Sequence, residues 1–501
     1  LPFSTRVKGG IFVSSYFRHR WFLQAITAFT LSLLFTLSST IFAFANVALT
    51  QISSDPYTNS TSQHRTQVEP DTFSFGATIV SDFQSGRFTD GGSSNIGWAT
   101  STNSGANWTH GFLPGTTVFA TPAGPYDRIS DPTVAFDARH KTWLAASLAL
   151  KGTKGAAVLV NLSTNGGTVW GNPVTVHAAS GTEDLDKDWI VCDNTATSRF
   201  YGHCYVEWDN FGNNNLVQMS TSTNGGLTWS APQTTANAAS VIGGQPLVQP
   251  NGTVVVPIDN ANETDVLAFT STNGGASWNS TVTVATIKSF TDPGNIRSGP
   301  LPTAEIDGAG KVYVVWEDCR FERACKANDL VMTTSTNGTS WTAVTRIPAD
   351  AVGSGVDHFI PGLAVDKSTS GSSAHLGLAY YYYPVSSCTS STCKLDVGFV
   401  SSTNGGSTWS AKTQLAGPMT LTWLANTTQG FMVGDYISTS IAGGTAHPVF
   451  AVAKPNNGSV FDEAMYSPTS GLVIRSGNHS AKGDQAFDSA SAASKNARRY
   501  R

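Results

Sequence analysis

Charge is what this sequence has least of. Asp, Glu, Lys and Arg make up 13% of its 501 residues, 30 basic side chains against 34 acidic, for a net charge of -4. Soluble domains run near about 25% charged. A chain so poor in basic residues has no surface with which to displace counterions from a polyphosphate, which excludes a nucleic-acid partner. Glycine, at 48 residues, is too rare for a collagen. Apolar residues recur in short alternating runs, which excludes a coiled coil and a mainly disordered chain. No Gly-x-Ser-x-Gly elbow and no Walker-type glycine loop occurs, so serine-hydrolase and phosphate-loop mechanisms have no support. One large or two medium globular domains remain.

Cysteine is also scarce, six in all, but the six fall in close pairs: Cys192 with Cys204, Cys319 with Cys325, and Cys388 with Cys393. Of the connectivities open to them, proximity selects this one. None has zinc-site spacing with histidine nearby, so no metal is expected. Asp186 and Asp188 are too few acids for calcium, and no cofactor is implied. Disulfides belong to export, and the amino end agrees. Arg18, His19 and Arg20 precede an apolar stretch from Trp21 to Ala45 that closes on Ala43-Phe44-Ala45 before Asn46, the order of a secretory signal. The stretch is long enough for an uncleaved anchor, but its Ser and Thr content favours cleavage. Residues 1–45 are therefore read as signal peptide, 46–67 as linker, 68–475 as the folded domain and 476–501 as a disordered tail. The expected protein is secreted, periplasmic or on the cell surface, monomeric, and free of the membrane once cleaved.

A repeat organises the domain. It reads Ser101-Thr-Asn-Ser-Gly-Ala-Asn-Trp108, then returns from Ser163 to Trp170, Ser222 to Trp229, Ser271 to Trp278, Ser335 to Trp341 (one residue short) and Ser402 to Trp409. The starts lie 62, 59, 49, 64 and 67 residues apart, too long for a helical solenoid and suited to a four-stranded blade with loops. Asn bonds its own backbone two residues on, Gly supplies positive φ, and Trp opens the next strand and buries a large surface. Each motif follows a strand such as Leu395 to Val400, and another strand pair precedes that, as at Thr303–Asp307 and Lys311–Asp318. The motif thus joins third and fourth strands. The predicted fold is an all-β propeller of four-stranded antiparallel blades. Seven units, near 69–115, 131–179, 186–235, 243–287, 299–348, 357–417 and 430–475, fit better than six. The last uses Pro468-Thr-Ser-Gly471 in place of the repeat.

The Ser-x-Asn-x-Gly-x-x-Trp pattern resembles the Asp-box, or BNR repeat, of the sialidase superfamily, with Asn at the usual Asp position in all six copies. The resemblance implies that these turns are structural and lie on the face opposite the working one. That other face, where first strands begin and second strands end, collects Glu69, Arg87, Asp90, Arg128, Asp131, Asp186, Asp188, Glu207, Asp209, Asp259, Arg297, Asp318, Arg320, Arg323, Asp357, His358, Asp435 and Tyr436, a dense set for so uncharged a chain.

Likeness to sialidases implies an arginine cluster for a substrate carboxylate, a tyrosine nucleophile and an aspartate acid/base. Arg87, Arg297 and Arg320 are the candidates for the cluster, since the planar fork fits a carboxylate. Tyr436 is the candidate nucleophile and Asp90 the acid/base. The family's Phe-Arg-Ile-Pro run is absent, Tyr126-Asp-Arg-Ile-Ser130 being nearest, and Gln245-Pro246 stands where the family has Glu-Pro. A second reading is an inverting glycosidase with two carboxyl groups, drawn from Asp188, Glu207, Asp318 and Asp435. A third is a non-catalytic glycan- or protein-binding propeller using Trp189, Trp208, Trp316 and the run Tyr380 to Tyr383. Two of those tyrosines must point to each face of their strand, leaving some exposed. The expected partner is an extracellular glycan or glycoprotein, and the leading expectation is sialidase-like hydrolysis.

Overall fold

The computed structural model describes residues 47–480 and 482–487. The segment read as a signal peptide lies outside them. Among the described residues, regular structure is β-strand apart from three 3-10 turns, as expected. Strands such as Val312–Asp318 are buried at every position. A continuous apolar run of this kind belongs to a strand packed on both faces.

The strands form seven consecutive antiparallel meanders. The first comprises His64–Phe75, Thr78–Arg87, Ser93–Ser101 and Thr109–Phe112. The second comprises Arg128–Asp137, Thr142–Lys151, Lys154–Ser163 and Val174–Ala178. In the third, Leu185–Cys192, Cys204–Asn210 and Leu216–Ser222 are edged by isolated bridges from Leu216 to Ser240 and Met219 to Gln233. The fourth has a broken first strand, Val241–Ile242 and Leu247–Val248, before Val254–Asn260, Asp265–Ser271 and Val282–Thr286. Thr303–Ile306, Val312–Asp318, Asp329–Ser335 and Thr345–Ile347 make the fifth. Asp357–Val365, Leu376–Tyr383, Lys394–Ser402 and Thr413–Thr420 make the sixth. The seventh contains Ser438–Ala442, Thr445–Ala453 and Val460–Pro468.

The seventh meander departs from expectation. Pro468 to Gly471 does not lead to a fourth strand: Leu472–Val473 continues along Thr445 and Ala446, the strand that Val460–Pro468 already pairs with. The fourth place is taken by Leu49–Gln51, which runs antiparallel to Tyr466–Pro468. The segment read as linker therefore supplies a strand of the last meander and the start of the first. Contacts between first strands pass from each meander to the next and from the seventh back to the first. The described part of the carboxyl-terminal segment lies against the sheets, His479 and Gly477 bonding to Trp409 and Phe487 to Arg320.

The repeated motif closes by local hydrogen bonds. In the third copy Ser222 Oγ accepts from the Gly226 N–H at 3.0 Å, Asn224 Oδ1 accepts from the Thr228 N–H at 3.0 Å, and Trp229 Nε1 donates to Gly226 O at 3.1 Å. Asn serves as acceptor as an Asp would, and its Nδ2 also donates to the Thr228 hydroxyl at 2.8 Å. The second glycine has a further task. A Cβ on Gly226 would sit 2.8 Å from Leu144 of the preceding meander, one on Gly167 would sit 2.6 Å from Val80, and one on Gly406 2.4 Å from Met332. In the first copy, a Cβ on Gly105 would sit 2.5 Å from His447 of the seventh meander. Each turn is thus seated on the meander before it, and the first is seated on the last.

Three disulfides join the expected pairs, Cys192–Cys204, Cys319–Cys325 and Cys388–Cys393. Trp208 and Trp316 are fully buried in hydrophobic clusters, as a packing role requires. The four tyrosines differ from expectation, because none is exposed. Tyr380 and Tyr382 enter one core cluster and Tyr381 and Tyr383 another. Their strand is covered on both faces, so alternation leads from one core to the next and not from core to solvent.

Candidate functional site

The site is built by bulges in the first strands. In the first, second, third and sixth meanders the pairing register slips at Val68/Asp71, Ser130/Thr133, Asp186/Trp189 and Phe359/Gly362. At each slip a non-glycine residue takes positive φ: Glu69 (62°), Asp131 (49°), Lys187 (47°) and Ile360 (49°). Left-handed backbone at such residues is strained and persists where the surroundings impose it. A bulge re-aims its side chain, and three of these four side chains are ionisable. Proline follows three of the four, at Pro70, Pro132 and Pro361, where the slipped ladder needs no N–H donor.

The re-aimed groups meet Arg297 and Asp435. Arg297 grips Asp435 with both arms, Nε to Oδ1 at 2.7 Å and Nη2 to Oδ2 at 2.5 Å. Lys187 Nζ stands 3.7 Å from Glu69 Oε1, 3.9 Å from Asp435 Oδ2 and 4.2 Å above the Tyr436 ring. Gln84 Nε2 donates to the other Glu69 oxygen, and Arg87 Nη1 donates to Gln84 Oε1 at 2.8 Å. Asp188 lies beside this group, and neither of its carboxyl oxygens has a hydrogen-bond partner. Tyr436 donates its hydroxyl to Pro132 O at 2.9 Å and packs edge-on against Trp189.

All of these ionisable groups are buried, which sets their protonation. Burial pushes Glu69 up to about 8 despite Lys187. Burial also works to raise Asp435, but Arg297 and Lys187 hold it at about 2. Burial raises Asp131 to about 6 and pushes Asp188 and Glu207 well above the carboxylate range, Asp131, Asp82 and Glu207 adding to the effect on Asp188. Burial, then Arg297, bring Arg87 down to about 10. Burial also raises the Tyr436 phenol well above its usual value. One carboxyl in the cluster is held neutral at neutral pH while another is held ionised.

Of the residues singled out from sequence, Arg87, Arg297, Asp188, Asp435 and Tyr436 come together here. Arg320 does not. It pairs with Asp318 through Nε at 2.9 Å and Nη2 at 2.7 Å, donates to Thr286 O, and lies over Trp316. Asp318 is fully engaged by that arginine, by Trp316 Nε1 and by the Lys288 N–H. Asp90 is half exposed and pairs with Arg128 at 2.6 Å, which lowers its carboxyl further into the ionised range. Sequence reasoning put Glu69 and Asp131 on this face without assigning them a role, and it missed Lys187. The acid-Pro doublets Glu69-Pro70 and Asp131-Pro132 inside apolar strands were the available signal.

A hairpin, Ala425–Thr427 with Gly430–Met432, lies over the cluster. Its backbone bonds Arg297 through Phe431 O at 2.7 Å and reaches Thr89 O from the Thr428 N–H at 2.9 Å. The Val433 carbonyl that follows accepts from the Glu69 N–H at 3.0 Å. On the other side, three cavities share walls along the first strands. An inner hollow of about 10 Å³, room for a single water, is lined by Lys187, Asp188, Trp189, Gln245, Asp435 and Tyr436. It shares Trp189 and Gln245 with a neck of about 40 Å³. The neck shares Glu305 and Lys367 with a cavity of about 390 Å³ at the far ends of the first strands.

Several solved structures are similar at low identity. A protein of unknown function from Dyadobacter fermentans is 14% identical, with 71% of this chain and 99% of that one covered and a TM-score of 0.45. The leech intramolecular trans-sialidase is 11% identical over 69% of this chain and 68% of its own, with a TM-score of 0.44. The NanB sialidase of Streptococcus pneumoniae is 11% identical over 83% and 70%, with a TM-score of 0.43. No curated protein matches. Residues 141–360 match the family model described as a BNR repeat-like domain, a stretch that holds the second to fifth copies of the motif. The resemblance to Asp-box chains read from the repeated motif is met over those residues.

Proposed function

We propose that the protein is an exported seven-bladed propeller that hydrolyses glycosidic bonds in extracellular glycans, with its catalytic centre at Glu69, Lys187, Arg297, Asp435 and Tyr436. The cyclic order of first-strand contacts and the seating of Gly105 on the seventh meander support seven blades. The three disulfides suit an extracellular setting. The observation that carries the chemistry is the opposite displacement of two carboxyl groups in one cluster, Glu69 up to about 8 and Asp435 down to about 2. Environments that push such a pair apart assign an acid and an anion. Glu69 then donates its proton to the departing glycosidic oxygen as the C–O bond breaks, Asp435 faces the positive charge that develops on the sugar, and a water adds to the anomeric carbon and gives up the proton that restores Glu69.

The resemblance to sialidases implies a sialoside substrate. Another observation favours a neutral sugar. The Arg297 fork is already filled by Asp435, and Arg320 belongs to a separate ion pair. A substrate carboxylate would have to displace Asp435, whereas a neutral ring would not. Tyr436 has its hydroxyl committed to Pro132, which favours the two-carboxyl reading over a tyrosine nucleophile.

The test is release of aryl aglycone by the purified protein from a panel of neutral aryl glycosides and an aryl sialoside. Turnover of a neutral glycoside that Glu69→Gln and Asp435→Asn both abolish is the expected result. Turnover of the sialoside, lost in Arg297→Ala, would return the sialidase reading to first place. Absence of turnover on every member would leave a binding propeller.

A further inference from the structure

We propose that the cavity at the far ends of the first strands, on the side of the repeated turns, is a separate binding site for a single sugar ring, held by Phe73, Glu305 and Lys367. The proposal does not depend on hydrolysis at the central cluster.

The cavity is the most spacious of the three that line the axis, about 390 Å³. Phe73 belongs to the first meander, Glu305 to the fifth and Lys367 to the turn after the first strand of the sixth, so the three converge only because the meanders face a common axis. Lys367 Nζ lies 3.8 Å from Glu305 Oε2 and 4.9 Å from the centre of the Phe73 ring. At that separation the ammonium and the carboxyl are close but not hydrogen bonded to each other.

A ligand hydroxyl placed between them accepts from Nζ and donates to the carboxyl, satisfying both. Phe73 supplies an aromatic surface, and Phe75, 44% exposed, flanks the mouth. An aromatic face, a cation and a carboxyl at one concave site form the set that holds a sugar ring by its apolar face and its hydroxyls. Both Glu305 and Lys367 also line the neck, so they stand where the wide cavity narrows and a ring is stopped. Burial raises the Glu305 carboxyl, which suits a group that shares a hydrogen bond with a neutral hydroxyl.

The test is saturation-transfer NMR and calorimetry on the full protein with glucose, galactose, mannose, N-acetylglucosamine and N-acetylneuraminic acid. Saturable binding of at least one sugar is expected, weakened about tenfold by Lys367→Ala and by Glu305→Gln, the loss of one charge-assisted hydrogen bond. The same binding is expected to survive in Glu69→Gln, which separates this site from the central cluster. Lys367 is half exposed, and its removal leaves the melting temperature near that of the parent, so loss of binding there is not loss of fold. Binding to none of the five, or binding that Glu69→Gln removes while Lys367→Ala leaves it intact, overturns the proposal. Aryl glycoside turnover, read in parallel, reports on the central chemistry alone.

Discussion

Glu69→Gln gives the most direct reading of the central cluster, because its effect is fixed in sign and size by linkage. Glu69 has an ordinary value of 4.5 and is raised to about 8 in the fold. A carboxyl raised on folding adds stability that is fully present below the unfolded value and is lost as pH rises through the folded one. Between roughly pH 5 and pH 8 the folded protein holds one proton at this position that the unfolded chain has released. Stability should fall through that window by about 1.4 kcal/mol per pH unit from this group alone, or about 5 kcal/mol in all as an upper figure. Glutamine keeps the shape and can still accept from Gln84 Nε2, but it cannot titrate. Urea unfolding of the parent and of Glu69→Gln at several pH values across the window isolates the term as a difference in slope. Buried acids that do not face Glu69 contribute to both proteins and cancel to first order, whereas Asp131, whose charge helps to raise Glu69, is itself eased by the substitution. Two curves that run parallel from pH 5 to pH 8 would show Glu69 ionised in the fold, and the assignment of Glu69 as proton donor would fall with it.

Other substitutions follow the same reasoning. Arg297→Ala leaves Asp435 buried without its bidentate partner and should cost about 3 to 5 kcal/mol in urea unfolding, recovered in part by the added change Asp435→Asn. Gly226→Ala sets a methyl against Leu144 and Leu162 at 2.8 Å with φ at +85°; a loss of about 2 kcal/mol or more is expected in thermal melts, whereas Gly152→Ala, with nothing within 4 Å, should lose only the φ term. Asp90→Asn removes an exposed partner of Arg128 and should change stability by about 0 to 1 kcal/mol, with glycoside turnover intact, unlike a general acid. Replacing Cys388 and Cys393 together by serine should cost roughly 2 kcal/mol in thermal melts.

The turns and disulfides were legible because their physics is local. The motif's bonds join Ser222, Asn224, Gly226, Thr228 and Trp229 within eight residues, and the shortest disulfide spans five. Strand type was legible from runs such as Val312 to Trp316. Closure was not. Leu49–Gln51 is short, shows no alternation, and pairs with residues more than 400 positions away. The tyrosine run misled because alternation tells which residues share a face, not whether both faces are covered. In the site, Glu69 comes from the first meander and Arg297 and Asp435 from the segments that precede the fifth and the seventh, and what aims Glu69 and Lys187 is a register slip in an otherwise apolar strand. Proline at positions 70 and 132 reads as a strand breaker until the slipped pairing is seen, and Lys187 sits between two acids like any solvated charge pattern.

On the proposed reading, the central cluster would select its ligand by the way its few charges are paired. Charges held in a low-dielectric interior keep their positions only while each has an opposite neighbour. Here Arg297 and Lys187 share Asp435, and Glu69 stays neutral because burial outweighs what Lys187 returns. A carboxylate ligand entering this balance must first evict Asp435, leaving a buried anion whose partner has been taken. A neutral hydroxylated ligand makes no such demand: it can accept from Glu69 while Asp435 remains in the Arg297 fork. The same argument separates the variants. Removing Arg297 should damage the fold before it damages binding of a neutral sugar, whereas removing the Glu69 proton, by mutation or by pH above about 8, should stop the chemistry in a protein that still folds.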